Sequence, residues 1–254
     1  MSLLEITSLT KDFGGVRAVD DFSHSLEKGG LYAIIGPNGA GKTTIFNLIT
    51  GIYKPTRGRI AFEGEDITGQ VTHQISQKGI ARTFQNIRLF GNLTVLDNMK
   101  VARDMKVRYT LWEEMLRLPR VGRQEREIDE KARHSLAYLG LESYAEQKPQ
   151  NLPYGIQRRL ELARTLMAEP RIVLLDEPAA GLNPHEVRDL MDTIRKIQEE
   201  NALTIVIVEH HMELIMNICS LIHVLDFGKK IAEGEPETIK KNEQVLQAYL
   251  GEEV

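Results

Sequence analysis

The chain has 254 residues, of which 42% are hydrophobic and 27% are charged, and its formal net charge at pH 7 is -4. Its length is enough for one large α/β domain, and its acidic balance gives no support for a nucleic-acid partner. No stretch approaches the ~20 apolar residues that a membrane span needs, and the N-terminus lacks the pattern of a signal peptide. Cys219 is the only cysteine, which excludes a disulfide framework and predicts a buried structural thiol in a reducing compartment.

Two strands of an antiparallel piece are predicted near the N-terminus, at residues 3–9 and 22–26. The second strand alternates with period two and places Phe22, His24 and Leu26 on one face. We therefore expect His24 to be a sheet residue rather than a metal ligand. Beyond these strands, strand-like segments alternate with helical ones, which predicts a mostly parallel sheet covered by helices.

A glycine-rich run follows the apolar strand predicted at Leu31–Ile35 and precedes a helical pattern. It matches the phosphate-binding template G-x-x-x-x-G-K-[ST]. Its residues, called the phosphate loop below, are Gly36, Pro37, Asn38, Gly39, Ala40, Gly41, Lys42, Thr43 and Thr44. The glycines let backbone N–H groups and the helix N-terminus face phosphate oxygens. Lys42 would reach the β- and γ-phosphates and the Thr43 hydroxyl would hold Mg²⁺, so the run predicts binding of a nucleoside triphosphate.

Residues 96–150 differ from their flanks, because they are rich in Arg, Glu and Lys, contain the only tryptophan, Trp112, and show no strand pattern. One helical face in this stretch is apolar and is formed by Ile128, Ala132, Leu136 and Leu139. We predict an inserted helical subdomain here. The rest of a single domain spanning residues 1–254, at residues 1–95 and 151–254, would form the core and its antiparallel part.

Two carboxylates, Asp176 and Glu177, end an apolar strand that begins at Ile172. Such a pair is a weak signal alone and a strong one after a phosphate loop. The first carboxylate can orient Mg²⁺ and its waters. The second can accept a proton from the attacking water. The sequence therefore predicts hydrolysis of the bound nucleotide.

Three further motifs occur in the order typical of one protein family. Residues 180–183 match its D-loop, residues 83–86 contain its Q-loop glutamine, and residues 152–159 occupy the place of its LSGGQ signature. With the phosphate loop and the carboxylate pair, this set resembles the ATPase subunit of ABC transporters over nearly the whole chain. The resemblance implies an α/β fold: a P-loop NTPase core with a mostly parallel sheet, an N-terminal antiparallel β subdomain and an inserted helical subdomain. It also implies ATP as substrate, ADP as product and Mg²⁺ as cofactor.

The resemblance implies roles for residues outside the phosphate loop. Gln85 would contact the metal or a water and lie at the groove for the membrane domain, while His210 would hydrogen-bond the γ-phosphate and help hold the water at Glu177. The ring of Phe13 would stack on adenine, and backbone N–H groups near Gly155 would contact the ATP of an opposing subunit. The implied catalytic set is Glu177, His210 and Gln85, and the implied metal ligands are Thr43, Gln85 and Asp176.

The signature stretch departs from the general pattern, since Pro153 replaces a serine and Ile156 replaces a glutamine. This departure, together with residues 79–85 and 231–236, resembles the ATPases of branched-chain amino-acid importers. That subfamily typically has aspartate where this chain has His211. We therefore predict an ATP-hydrolysing subunit that energises a membrane importer, most specifically for leucine, isoleucine and valine. It would be peripheral, on the cytoplasmic face of a bacterial or archaeal membrane.

The implied partners are a second ATPase subunit, identical or homologous, two integral membrane permease subunits and, indirectly, an extracytoplasmic solute-binding protein; no nucleic acid is expected. Alternative functions are urea or amide uptake, lipopolysaccharide export, and a non-transport ABC ATPase acting on nucleic acid. A stand-alone P-loop switch or kinase would leave the signature stretch and His210 unexplained. Gln85, His210 and Phe13 also have plainer interpretations, as a surface glutamine, a histidine at a strand end and a loop aromatic.

Overall fold

The computed structural model of the protein describes residues 2–103, 115 and 118–250. The chain forms two compact units, one made of Met1–Gln85 with Arg171–Val254 and the other of Asn86–Pro170. The second unit contains the predicted insertion of residues 96–150, whose bounds stay a prediction. Trp112 lies outside the described residues.

Strands and helices alternate through most of the described chain. The strands are β1 (Ser2–Phe13), β2 (Val16–Glu27), β3 (Leu31–Ile35), β4 (Arg57–Phe62), β5 (Glu65–Asp66), β6 (Ile80–Arg82), β7 (Ile172–Asp176), β8 (Thr204–Val208), β9 (Leu221–Asp226) and β10 (Lys229–Gly234). The helices are α1 (Lys42–Ile49), α2 (Thr72–Gln77), α3 (Val95–Val101), α4 (Pro119–Tyr138), α5 (Tyr154–Leu166), α6 (Pro184–Asn201), α7 (Met212–Ile218), α8 (Pro236–Ile239) and α9 (Glu243–Leu250). None of them has both the length and the apolar character that crossing a bilayer requires, as far as the described residues go.

A four-stranded antiparallel sheet contains the N-terminal strands, in the order β2-β1-β4-β5. The predicted antiparallel piece is therefore confirmed, although β1 and β2 extend to a tight hairpin at Gly14 and Gly15. Phe22, His24 and Leu26 are all buried, as their alternation predicts.

A six-stranded sheet forms the centre of the first unit, in the order β10-β9-β3-β8-β7-β6. Five of its strands are parallel and β10 is an antiparallel edge. Every residue of β3, β7 and β8 is buried, which is typical of parallel strands covered on both faces. The predicted mostly parallel sheet is confirmed.

One hydrophobic core joins both sheets of the first unit. Phe22 from β2, Phe46 from α1 and Val206 from β8 are buried members of it. Because α1 follows the phosphate loop, packing of its apolar side chains fixes the helix end that carries the loop. Cys219 is buried, as predicted, and burial raises its thiol pKa to about 12.

The second unit contains α3, α4 and α5, which pack on one another. The apolar face predicted for α4 is confirmed, since Ile128, Ala132 and Leu136 are buried. A buried ion pair, Arg158 Nη1 to Glu161 Oε2 at 2.9 Å, lies within α5. Charged groups this deeply buried are tolerated when they are paired.

Candidate active site

Four loops that leave the six-stranded sheet at one edge carry most of the predicted site residues. Ile34 of β3 lies opposite Val208 of β8, and Val208 lies opposite Asp176 of β7. Because the carboxyl ends of parallel strands meet at one edge, the loops that follow them emerge side by side, which is where α/β sheets bind ligands. The loops after β3, β7, β8 and β6 carry, in that order, the phosphate loop, Glu177, His210 and Gln85.

Two glycines let the phosphate loop pass close to neighbouring backbone. Gly36 has a φ of 146°, and a Cβ atom there would lie 2.0 Å from the carbonyl oxygen of Leu225. Gly41 has a φ of 100°, and a Cβ atom there would lie 2.3 Å from the carbonyl oxygen of Ala18. Both distances are far inside van der Waals contact. Conformation and space together therefore require glycine at these positions of the template.

The turn between β9 and β10 supports the same loop. The N–H of Gly228 donates to the carbonyl oxygen of Ala40 at 3.1 Å, and the carbonyl oxygen of Gly228 accepts from the N–H of Asp20 at 2.8 Å. These bonds connect the loop to β2 as well as to the β9–β10 hairpin. The loop is thus held in shape by the backbone of both sheets.

Lys42 begins α1, and its side chain turns back over the phosphate loop. Its Nζ donates to the carbonyl oxygens of Gly36 at 2.5 Å and Pro37 at 2.8 Å. The first N–H groups of a helix lack intrahelical partners, and the helix N-terminus carries a partial positive charge. Together with the Lys42 ammonium, they form a site suited to the oxygens of a polyphosphate.

Arg82 binds the predicted metal ligand Asp176, a contact that the motifs did not reveal. Its Nη2 donates to Oδ2 of Asp176 at 2.6 Å, and its Nη1 donates to Oδ1 of Asn47 in α1 at 2.6 Å. The two charged side chains are 6% and 7% exposed, and the rings of Phe46 and Phe84 lie against the guanidinium. Arg82 thus compensates the charge of the carboxylate that is predicted to serve a metal ion.

Glu177 adopts a left-handed backbone conformation with a φ of 46°, which is uncommon for a residue other than glycine. Its N–H donates to the carbonyl oxygen of Val208 at 2.8 Å, which ties the residue to β8. The Nε2 of Gln85 donates to its Oε2 at 2.7 Å. Two of the residues that the sequence predicts to be catalytic are therefore in direct contact.

Glu209 is a second residue that the motifs did not reveal, and it is fully buried. Its Oε1 accepts the N–H of Ala179 at 2.8 Å, and its Oε2 accepts the N–H groups of His210 at 2.7 Å and His211 at 2.9 Å. The side chain of His210 is 66% exposed. Glu209 therefore joins the segment after β7 to the segment after β8, and it orients the backbone that presents His210.

The remaining two predicted contacts are Phe13 and Gly155. Phe13 ends β1 and is exposed, and its ring packs edge-on against Tyr53 with centroids 5.1 Å apart. Such a ring offers a face for stacking. Gly155 belongs to the second unit and lies in the first turn of α5, whose N-cap is Pro153. The roles of both residues stay predictions.

The side chains predicted to hold Mg²⁺ offer oxygen donors, which this ion prefers. They are the hydroxyl of Thr43, the amide oxygen of Gln85 and the carboxylate of Asp176. Thr43 is exposed in the first turn of α1, and the other two follow or end strands at the same sheet edge. The donor set therefore fits the ion.

Known proteins resemble the chain over nearly its whole length. A family model described as ABC transporter matches residues 19–180, and one described as Branched-chain amino acid ATP-binding cassette transporter matches residues 229–254. The high-affinity branched-chain amino acid transport ATP-binding protein BraF of Pseudomonas aeruginosa is 45% identical over 250 residues, 98% of each chain. LivG of Escherichia coli strain K12, with the same description, is 42% identical over 250 residues, also 98% of each. The ADP conformation of MJ1267, an ATP-binding cassette of an ABC transporter, has a TM-score of 0.86 at 31% identity and covers 99% of both chains.

With the fold and the phosphate loop, these matches show that the chain belongs to the ABC transporter family. ATP-binding subunits of this family are ATPases. Its relatives include the ATP-binding proteins BraF and LivG of branched-chain amino acid transport, and its C-terminal residues match the model of that subfamily. The resemblance seen in the sequence is confirmed.

We predict that Gly36→Ala destabilises the protein far more than Gly39→Ala. Both residues have positive φ, but a Cβ atom at Gly39 would meet nothing within 4 Å. Gly39→Ala should cost only the ~1–2 kcal/mol of a left-handed alanine, whereas Gly36→Ala adds a backbone overlap for a total of about 2–5 kcal/mol. Urea unfolding measures both free energies, and equal losses would contradict the close approach to Leu225.

We predict that Arg82→Met lowers the free energy of unfolding by ~3–5 kcal/mol, because it leaves the buried carboxylate of Asp176 without its counter-charge. Arg59→Met is the matched control, since Arg59 also pairs with an aspartate, Asp66, but both side chains are well exposed. The control should show little or no loss. If thermal and urea unfolding give the two variants the same stability, the ion pair between Arg82 and Asp176 does not stabilise the carboxyl edge of the six-stranded sheet.

Proposed function

We propose that this chain hydrolyses ATP to ADP and phosphate and thereby drives import of branched-chain amino acids through a membrane permease. One observation carries the proposal: the phosphate loop, Asp176, Glu177, His210 and Gln85 all lie at the carboxyl edge of one sheet. This is the set of groups that cleavage of a γ-phosphate requires. The membership of the family supports the same activity.

In the proposed reaction, the N–H groups of the phosphate loop and the N-terminus of α1 bind the phosphates, and Lys42 compensates the charge on the β- and γ-phosphate oxygens. Thr43, Gln85 and Asp176 would hold Mg²⁺. When bound, this ion would act as a Lewis acid that stabilises negative charge on the phosphates.

Glu177 is the proposed general base, and it would accept a proton from the water that attacks the γ-phosphate. The hydrogen bond that Gln85 donates to it would hold this carboxylate at the carboxyl edge of the sheet. His210 would donate to a γ-phosphate oxygen, and its backbone is positioned for this by the buried Glu209. The acid–base contribution of Glu177 is expected to be about 10²–10⁴-fold in rate.

The proposed assembly contains two ATPase subunits that enclose two ATP molecules. Backbone N–H groups near Gly155 at the start of α5 would contact the ATP bound to the opposing subunit. Pro153 lacks both a hydroxyl and an N–H, so the helix N-terminus would supply that contact. The pair would dock on two permease subunits at the cytoplasmic face of the membrane, with the region around Gln85 at the docking groove.

The solute assignment to leucine, isoleucine and valine is supported by the relatives. BraF and LivG, both named for branched-chain amino acid transport, match 98% of the chain. Residues 229–254 match a model of the same transport class. In this proposal other subunits recognise the solute, and this chain hydrolyses the ATP that drives its import.

We predict that Glu177→Gln binds ATP normally but releases phosphate about 10²–10⁴-fold more slowly than the wild type. An amide keeps the shape of the carboxylate and cannot accept the proton. Lys42→Ala should instead lose nucleotide affinity, because its ammonium compensates phosphate charge. Fluorescent-nucleotide titration and phosphate-release assays separate the two effects.

The matched control is Glu213→Gln, an exposed glutamate in the first turn of α7, which should behave as wild type in both assays. Near-normal turnover of Glu177→Gln would remove Glu177 as the base. Unchanged ATP affinity in Lys42→Ala would contradict the phosphate-loop assignment.

We predict that cells lacking this chain take up labelled leucine poorly and that the wild type, but not Glu177→Gln, restores uptake. The two permease subunits should co-purify with the chain. Restored uptake of urea instead of leucine would keep the ATPase and overturn the solute. Salt-sensitive binding to DNA or RNA, with no effect on uptake, would favour a non-transport ABC ATPase.

A further inference from the structure

A cluster of potential metal ligands lies away from the phosphate loop, where β2, β9 and β10 approach one another. It consists of His24 on β2, His223 on β9 and Glu233 on β10. Nε2 of His24 lies 3.1 Å from Nε2 of His223. Nδ1 of His223 lies 3.4 Å from Oε2 of Glu233, its direct neighbour across the β9–β10 ladder. The sequence pattern explains why His24 is in the sheet, and the structure adds the two groups that face it.

His223 is fully buried and is not satisfied by the protein. Its Nδ1 has no hydrogen-bond partner, and leaving such a group unpaired in the interior costs free energy. Burial lowers the pKa of both histidines to about 3. Both imidazoles are therefore neutral at physiological pH, which is the form that binds metal ions.

We propose that His24, His223 and Glu233 form a binding site for one divalent transition-metal ion of the Zn²⁺ type. Two imidazole nitrogens and a carboxylate oxygen are a ligand set that Zn²⁺ uses, with water as the fourth ligand. Imidazole also distinguishes such ions from Mg²⁺ and Ca²⁺, which take oxygen donors.

The distances fit this assignment after a small adjustment. Ligands at ~2.0–2.1 Å from a tetrahedral ion lie roughly 3.3 Å from one another. Oε2 of Glu233 already lies 3.4 Å from Nδ1 of His223, and this unpartnered nitrogen is the His223 atom that would bind the ion. One ligand atom from each residue can be chosen so that all three lie within 4.8 Å of one another. Glu233 is the ligand on an exposed side chain. Its carboxylate is therefore the group that can shift to complete the site.

Lys230 is the group that a metal ion has to displace. Its Nζ is bound to Oε2 of Glu233 and donates to the carbonyl oxygen of Ser23 at 2.9 Å. Its Nζ also lies 6.0 Å from the centroid of the Phe22 ring. That ring lies beside both histidines. The ammonium and a metal ion compete for one carboxylate, so Lys230 sets the affinity of the site.

An ion at this site would connect the two sheets of the first unit. His24 belongs to the four-stranded sheet, whereas His223 and Glu233 belong to the six-stranded one. The β9–β10 hairpin that carries two of the ligands also supports the phosphate loop, through Gly228 and Ala40. Metal binding should therefore raise the melting temperature of the nucleotide-free chain.

The test is titration of the full-length, nucleotide-free protein with Zn²⁺ by calorimetry, and with Co²⁺ by visible absorption. We expect one site and the d–d bands of tetrahedral Co²⁺. Glu233→Gln should weaken binding by at least about 10- to 100-fold, and His223→Leu should abolish it. Lys230→Met should tighten Zn²⁺ binding several-fold. Misfolding of a variant would weaken binding, so it cannot account for this gain. His185→Gln removes an exposed histidine that faces Asp189, and it is the matched control with unchanged affinity.

Three results would overturn the proposal. The first is that neither the wild type nor Lys230→Met binds Zn²⁺. The second is binding that His185→Gln weakens while Glu233→Gln and Lys230→Met do not change it, since exposed histidines would then be the ligands. The third is Co²⁺ binding without tetrahedral bands. Because Glu233 and Lys230 are partly exposed, their variants keep the test decisive even if His223→Leu does not fold.

Discussion

The parallel register of β3, β8 and β7 is the constraint on which the rest of the candidate site depends. These strands are buried on both faces, so a slip of one residue would turn every side chain of a strand to the opposite face. Such a slip at β7 would carry Asp176 away from Val208 and separate it from the phosphate loop. The apolar packing that stabilises the sheet therefore also sets the positions of the polar groups at its edge.

The charged groups at this edge are compensated by the chain itself. The ammonium of Lys42 lies on two backbone carbonyls, the carboxylate of Asp176 lies on Arg82, and the carboxylate of Glu209 accepts three backbone N–H groups. Compensation is needed because an unpaired charge in a buried site is very costly. A nucleotide bound at the proposed site would exchange partners with groups already in place, so little reorganisation would be required.

The parts of the structure that local sequence determines could be predicted from it. The bounds of β3 match the predicted strand, and the phosphate loop lies between a strand and a helix as its template requires. The roles of Arg82 and Glu209 could not be predicted, because Asp176 is 94 residues from Arg82 and Ala179 is 30 residues from Glu209. The only local signal for either role was a charged residue at the end of an apolar strand, Arg82 at the end of β6 and Glu209 directly after β8. His24 and His223 lie 199 residues apart and meet only when both sheets form.

The buried carboxylate of Glu209 has a mechanical consequence. A carboxylate is a rigid planar group. One oxygen of this carboxylate accepts the N–H of Ala179, and the other accepts the N–H of His210. These two hydrogen bonds couple the positions of the two backbone segments. A displacement of one segment is therefore either transmitted to the other through this carboxylate or breaks one of the two hydrogen bonds.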